Sequence, residues 1–133
     1  MEYMLDTHAL LWYMNGEPNL SENVLSVIEN RNNEINVSAI SFWEIAIKSS
    51  IGKLSLDKND LEKIRSQCLC SEFNILNVES NDAISYLELP FKKNHRDPFD
   101  RMIVATAIKN NYTLLSCDNK FEQYKEDGLS VLW

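Results

Sequence analysis

Short apolar segments of strand character alternate with segments of helical spacing along the whole chain, and no other feature limits the possible folds as much. Tyr3-Met4-Leu5 is a strand-prone run that ends at Asp6, and His8 to Met14 reads as a buried helix closed by the breaker Asn15-Gly16-Glu17-Pro18. Ser21 to Glu29 places Val24, Leu25 and Ile28 at helical spacing, and Glu34 to Val37 is strand-like. Ser41 opens a helix through Lys48, and Asp60 to Cys68 forms another. Phe73 to Val78 returns to strand character before a helix over Ser80 to Leu87. Asp97-Pro98 caps a helix running to about Lys109, because Asp accepts from free amides and Pro suits the first helical position. Tyr112 to Ser116 is a strand, Phe121 to Tyr124 a helical turn, and Leu129 to Trp133 a last strand. Strands separated by helices throughout predict an α/β fold with a central parallel sheet and helices on both faces.

One domain over residues 1–133 is expected. The three Gly and three Pro are scattered at turns, no linker or repeat interrupts the chain, and 44% hydrophobic content suffices for a core without staples. No apolar run approaches the roughly 20 residues that a membrane helix needs, and Met1-Glu2-Tyr3 lacks the basic start of a secretory signal. The expectation is a cytoplasmic protein with no membrane partner. Cys68, Cys70 and Cys117 are odd in number and lack zinc or redox spacing, so they read as reduced thiols. Any metal is then held by oxygen.

A net charge of -7 argues against a nucleic-acid partner, since phosphate binding rests on Lys and Arg. Locally the picture differs, because Lys92, Lys93, His95, Arg96 and Arg101 form a basic stretch around Asp97 and Asp100.

Ligands of an open parallel sheet bind outside the carboxyl ends of its strands, where strand order reverses. Asp6 ends the first strand and Asp118 follows the strand 112–116, which directs both to that edge. Glu44 and Asp100 each fall in the first turn of a following helix. Every one of these acids also has a local explanation. Ser41-Phe42-Trp43-Glu44 fits a capping box, Asp97 a helix cap, Asp100 a favourable dipole position and Asp118 a turn. Asp6 is harder to dismiss in this way, since strands disfavour Asp and it follows an apolar run. Taken jointly, the acids call for a cation. Two carboxylates about 5 Å apart repel by roughly 3 kcal/mol at an effective dielectric of about 20. A hard divalent ion, Mg²⁺ or Mn²⁺, relieves that repulsion and would supply an activated water for phosphodiester hydrolysis.

Met4-Leu5-Asp6-Thr7-His8, Ser41-Phe42-Trp43-Glu44-Ile45-Ala46, His95 to Arg101 followed by Ile103 and Ala105, and Leu115-Ser116-Cys117-Asp118 together resemble PIN-domain ribonucleases of the VapC type. Order, spacing and length agree over essentially the whole chain. The resemblance implies a Rossmann-like three-layer sandwich and an Mg²⁺ or Mn²⁺ site on Asp6, Glu44, Asp100 and Asp118, with Asp97 a nearby extra acid. It further implies endonucleolytic cleavage of single-stranded or structured RNA, a homodimer, and a cognate small antitoxin that silences the acidic groove. Thr7 and Ser116 are positioned to donate to ligand carboxylates or merely to cap backbone. Cys117 departs from the Arg or polar residue of many relatives.

Trp12, Tyr13, Phe42, Trp43 and Trp133 are expected to pack in the core or at a dimer interface rather than to serve as stacking platforms for RNA. His8 and His95 are not needed where an ion activates water. Three other readings remain at this level. A haloacid-dehalogenase phosphatase needs a second Asp where His8 stands. A non-catalytic cation- or RNA-binding module would bind without cutting, and a housekeeping PIN nuclease would lack an antitoxin gene beside it.

Overall fold

The computed structural model describes residues 1–133. In chain order the elements are β1 (Glu2–Leu5), α1 (Thr7–Asn15), α2 (Glu22–Glu29), β2 (Glu34–Ser38), α3 (Ala39–Ser50), α4 (Lys58–Cys70), β3 (Asn74–Leu76), α5 (Ser80–Ser85), α6 (Pro98–Asn110), β4 (Thr113–Leu115) and β5 (Ser130–Leu132). Short 3-10 segments cover Tyr86–Glu88 and Asn119–Asp127. All five strands are parallel, in the order β3-β2-β1-β4-β5. Strand order therefore reverses between β1 and β4.

Period-two alternation assigns the sheet residues to two cores. Tyr3 and Leu5 of β1 and Leu115 of β4 join one apolar cluster with Leu10, Val24, Ile28 and Ile64, while Met4 and Leu114 join another with Ile103, Val104 and Phe121. Helices thus cover both faces, as the strand and helix alternation predicts. Asn36 is a polar intrusion in the middle of β2. It is buried, donates to the Tyr3 carbonyl at 3.0 Å and accepts from Asn74 at 3.2 Å, which ties three strands together.

Helix starts follow side-chain capping. Asp6 accepts from the Ala9 amide, Ser21 from Val24, and Asp97 from Phe99 and Asp100. The helix expected from Ser41 instead starts at Ala39, capped by Ser38 at the end of β2. Ser41 lies inside the first turn and Glu44 falls in the second, so the capping-box explanation of Glu44 does not hold. Three expected strands are shorter in the structure: residues 73–78 yield only Asn74–Leu76, 112–116 only Thr113–Leu115, and 129–133 only Ser130–Leu132. The turn expected at Phe121 to Tyr124 extends over Asn119–Asp127. No helix is long and apolar enough to cross a membrane.

The three cysteines are free. Tyr13, Phe42 and Trp133 pack against the first core cluster, and Trp12 meets Trp133 edge to face at 5.7 Å. Trp43 lies outside both core clusters, 58% exposed in the single chain.

Candidate active site

Asp6 stands at the crevice where strand order reverses. Its Oδ1 accepts from the Ala9 amide at 2.7 Å as cap of α1, and its Oδ2 accepts from the Ser116 hydroxyl, which reaches across from the end of β4. Ser116 Oγ also accepts from the Asp118 amide at 3.1 Å, so one buried hydroxyl links the loops after β1 and β4. Asp6 is only 5% exposed. Burial pushes its carboxyl above the ordinary range, although the bonds from Ser116 and Ala9 pull the other way.

Glu44, also buried, comes from α3. Thr7 donates to its Oε1 at 2.8 Å, and Thr7 Oγ1 lies 3.0 Å from the Ser41 hydroxyl. Lys48, one helical turn further on, donates to Oε2 at 2.6 Å. Lys48 escaped the sequence reading, yet its i,i+4 spacing from Glu44 was the available signal. Thr7 and Ser116 act as one of their two readings anticipated: each donates to a carboxylate.

Asp100 lies in the first turn of α6, held at the helix start by the Asp97 cap. Burial first, then the charges of Asp97, Glu44, Asp6 and Asp118, push its carboxyl up to about 7. Asp118 caps the 3-10 segment by accepting from the Lys120 amide at 2.9 Å. All five acids named from the sequence are thus electrostatic neighbours, with Asp97 exposed at the rim. They do not converge on one point, since no three acidic, His or Cys side chains stand as a ready metal cage.

This arrangement still suits a hard divalent cation. Mg²⁺ and Mn²⁺ retain several waters and need only one or two carboxylates each. The donors are all oxygen, and each of the four charges acting on Asp100 disfavours its ionised form. Lys48 is the one Lys or Arg paired with any of these carboxylates.

His95 borders the cluster. Its Nδ1 meets the Tyr124 hydroxyl at 2.5 Å, while its buried Nε2 has no hydrogen-bond partner and lies 3.7 Å from Asp100 Oδ2. Burial lowers its proton affinity. The expected basic rim is smaller than the sequence implied. Lys92 pairs with Glu126 and Asp127 at 2.6 and 2.7 Å, and Arg101 is buried, which leaves Lys93 and Arg96 exposed.

A family model for the PIN domain matches residues 3–127, and so spans every acid of this cluster. The chain belongs to the PIN-domain family. Among similar proteins, Ribonuclease VapC22 of Mycobacterium tuberculosis is 26% identical over 130 residues, which is 98% of this chain and 97% of that protein. The solved VapBC2 of Rickettsia felis, bound to a DNA fragment from its promoter, superposes with a TM-score of 0.67 at 25% identity, covering 99% of this chain and 98% of that one. VapBC-1 of nontypeable Haemophilus influenzae shares the fold at a TM-score of 0.63 and 23% identity, with 99% of this chain and 97% of that chain covered. The PIN fold of this chain accordingly has the five-stranded parallel sheet flanked by helices expected from its sequence.

Proposed function

We propose that this PIN protein is an endoribonuclease that hydrolyses RNA phosphodiester bonds, and that it is the toxin of a toxin-antitoxin pair. One observation carries the reading: Asp100 is pushed up to about 7 by burial and by Asp97, Glu44, Asp6 and Asp118, so the crevice is built with surplus negative charge. Stability alone does not favour that arrangement. Similarity to Ribonuclease VapC22 over nearly the whole chain supports RNA as substrate. Likeness to VapBC2, a two-component assembly, supports a small antitoxin partner.

In this reading Asp6, Glu44, Asp100 and Asp118 hold Mg²⁺ or Mn²⁺, with Asp97 as an outer acid. An ion held by these carboxylates would supply Lewis-acid chemistry for hydrolysis of the phosphodiester. Ser116 and Thr7 fix the rotamers of Asp6 and Glu44 by donating to them, leaving other lone pairs of those carboxylates available. Lys48 balances Glu44 until the substrate arrives. Residues 1–133 act as a single PIN domain in the cytoplasm. A homodimer is supported by the exposed Ile84, Leu87 and Phe91, which suit burial against another chain.

Purified protein incubated with total RNA should cut at defined positions in Mg²⁺ or Mn²⁺, stop in EDTA, and stop when Asp6→Asn is introduced. Induced expression should arrest growth for the wild type and not for Asp6→Asn. Ion and RNA binding without cleavage, across several RNAs and both metals, identifies a non-catalytic module instead. Growth arrest by Asp6→Asn equal to the wild type overturns the assignment of that residue.

A further inference from the structure

Trp43 is anomalous for a large aromatic residue. It leaves 58% of its surface in water although the fold has two apolar clusters to receive such a ring. Its orientation is nevertheless fixed. Phe99 meets it edge to face, with ring centroids 5.1 Å apart and planes at 81°. The pair spans the two helices that deliver the acids, because Trp43 immediately precedes Glu44 on α3 and Phe99 immediately precedes Asp100 on α6. An open indole is therefore braced between the two helices by residues that adjoin two of the acids in sequence.

Trp43 also lines a groove of about 330 Å³ between α3 and α4, with Phe42, Ala46 and Leu61 apolar, Lys58 and Arg65 cationic and Glu62 acidic. Arg65 pairs with Glu62, whereas Lys58 forms no ion pair. Flat apolar surface beside a free cation matches a nucleotide, whose base stacks and whose phosphate pairs. The crevice repels a polyanion, so contacts that hold RNA must come from its margins.

We propose that Trp43, braced by Phe99, is the stacking platform for an unpaired base next to the cleavage point, with the flanking phosphates led along the α3–α4 groove past Lys58. This rests on the ribonuclease reading and narrows it, since a base inside a duplex has no free face to offer. The substrate strand is then single-stranded at the cut, and Trp43 governs binding rather than the chemical step.

The test compares wild type, Trp43→Ala and Trp43→Phe by fluorescence anisotropy with a labelled single-stranded oligoribonucleotide in EDTA, where no cutting occurs and the charge of the crevice is the same in all three. Trp43→Ala should weaken binding about tenfold and Trp43→Phe by much less, as expected for loss of one base stack. A duplex of the same sequence should bind all three alike. With Mn²⁺ present, Trp43→Ala should raise KM about tenfold and hold kcat within about twofold. Single-strand affinity unchanged in Trp43→Ala overturns the proposal, and does so decisively if a partner protein's affinity falls instead. The two readings fail separately. A wild type that binds RNA through Trp43 yet never cuts defeats the nuclease and spares the platform, whereas cleavage indifferent to Trp43 does the reverse.

Discussion

Asp100 and Arg101 are neighbours in the first turn of α6, and the fold treats their charges in opposite ways. Arg101 is 1% exposed and meets no carboxylate, yet its guanidinium donates to the carbonyls of Leu89 and Pro90 and to the hydroxyls of Tyr86 and Tyr124 at 2.9 to 3.2 Å. The Tyr86 and Phe91 rings lie 5.0 and 4.5 Å from it. Four of the five N–H groups of that ion go to neutral oxygens and aromatic faces flank it, so it serves as a clamp that holds the 86–91 segment to α6. Asp100 accepts no such donors, and the charges around it are of its own sign. A buried charge with complete partners belongs to the scaffold. One left in deficit marks a place kept for something else.

The largest effect should come from the deficient side. Asp100→Asn is expected to lower RNA cleavage at least about a hundredfold by removing one of the charges that attract the ion. Its melting temperature in EDTA should equal or exceed that of the wild type, because the substitution relieves repulsion. A variant that loses activity and stability together would place Asp100 with the scaffold and break the contrast.

Arg101→Ala should do the opposite. It strands two carbonyls and two hydroxyls, at about 1 to 3 kcal/mol for each group that water cannot reach. Urea unfolding should show a loss of about 3 kcal/mol or more, with cleavage by the remaining folded fraction reduced much less than in Asp100→Asn. Near-native stability in this variant would mean that solvent readily enters the clamp.

Stability should also depend on pH in a direction set by the acids. Asp6 and Asp100 both hold protons more tightly folded than unfolded, Asp100 rising from 3.8 to about 7. Between those values the folded chain binds more protons than the unfolded chain, so their contribution is present at low pH and is lost as pH rises through that window. His95, lowered by burial, opposes this below its ordinary value of 6.5, whereas Asp100 acts across the whole window up to about 7. In EDTA the melting temperature should fall by about 5 °C from pH 5 to pH 8, and Mn²⁺ should restore it at pH 8. A flat profile without metal would show that solvent already screens the cluster.

The same contrast explains what was legible in the sequence. Asp6 stands out in the sequence because strands disfavour Asp, and the alternation of elements assigns it to the sheet edge, although the structure also gives it the local role of capping α1. Glu44 lies a turn deeper in its helix than a start at Ser41 implies, since two serines three residues apart, Ser38 and Ser41, both make acceptable caps and only the reach of β2 chooses between them. Arg101 was misjudged as rim charge. A string of Lys and Arg states how much charge there is and not which faces of α6 end up buried. Trp43 shows the converse, since a sequence rich in aromatic residues offers no sign of which one the packing leaves outside.

The smallest predicted effect tests how the deficit is maintained. Ser116 is buried, donates to Asp6 and accepts from the Asp118 amide, so it connects two acids while neutralising neither. Ser116→Ala removes the strongest influence that lowers the proton affinity of Asp6 and leaves burial to raise it. Asp6 then needs a higher pH to become a charged ligand, and cleavage should fall about tenfold near neutral pH, the scale expected when a ligand loses its orienting partner. Raising the pH should recover part of that loss, with the acidic limb of the rate profile displaced upward, and Ser116→Thr should restore it by returning the hydroxyl. An unchanged pH profile in Ser116→Ala would reduce Ser116 to a cap for the Asp118 turn, and the contrast with Arg101 would then rest on the carboxylates alone.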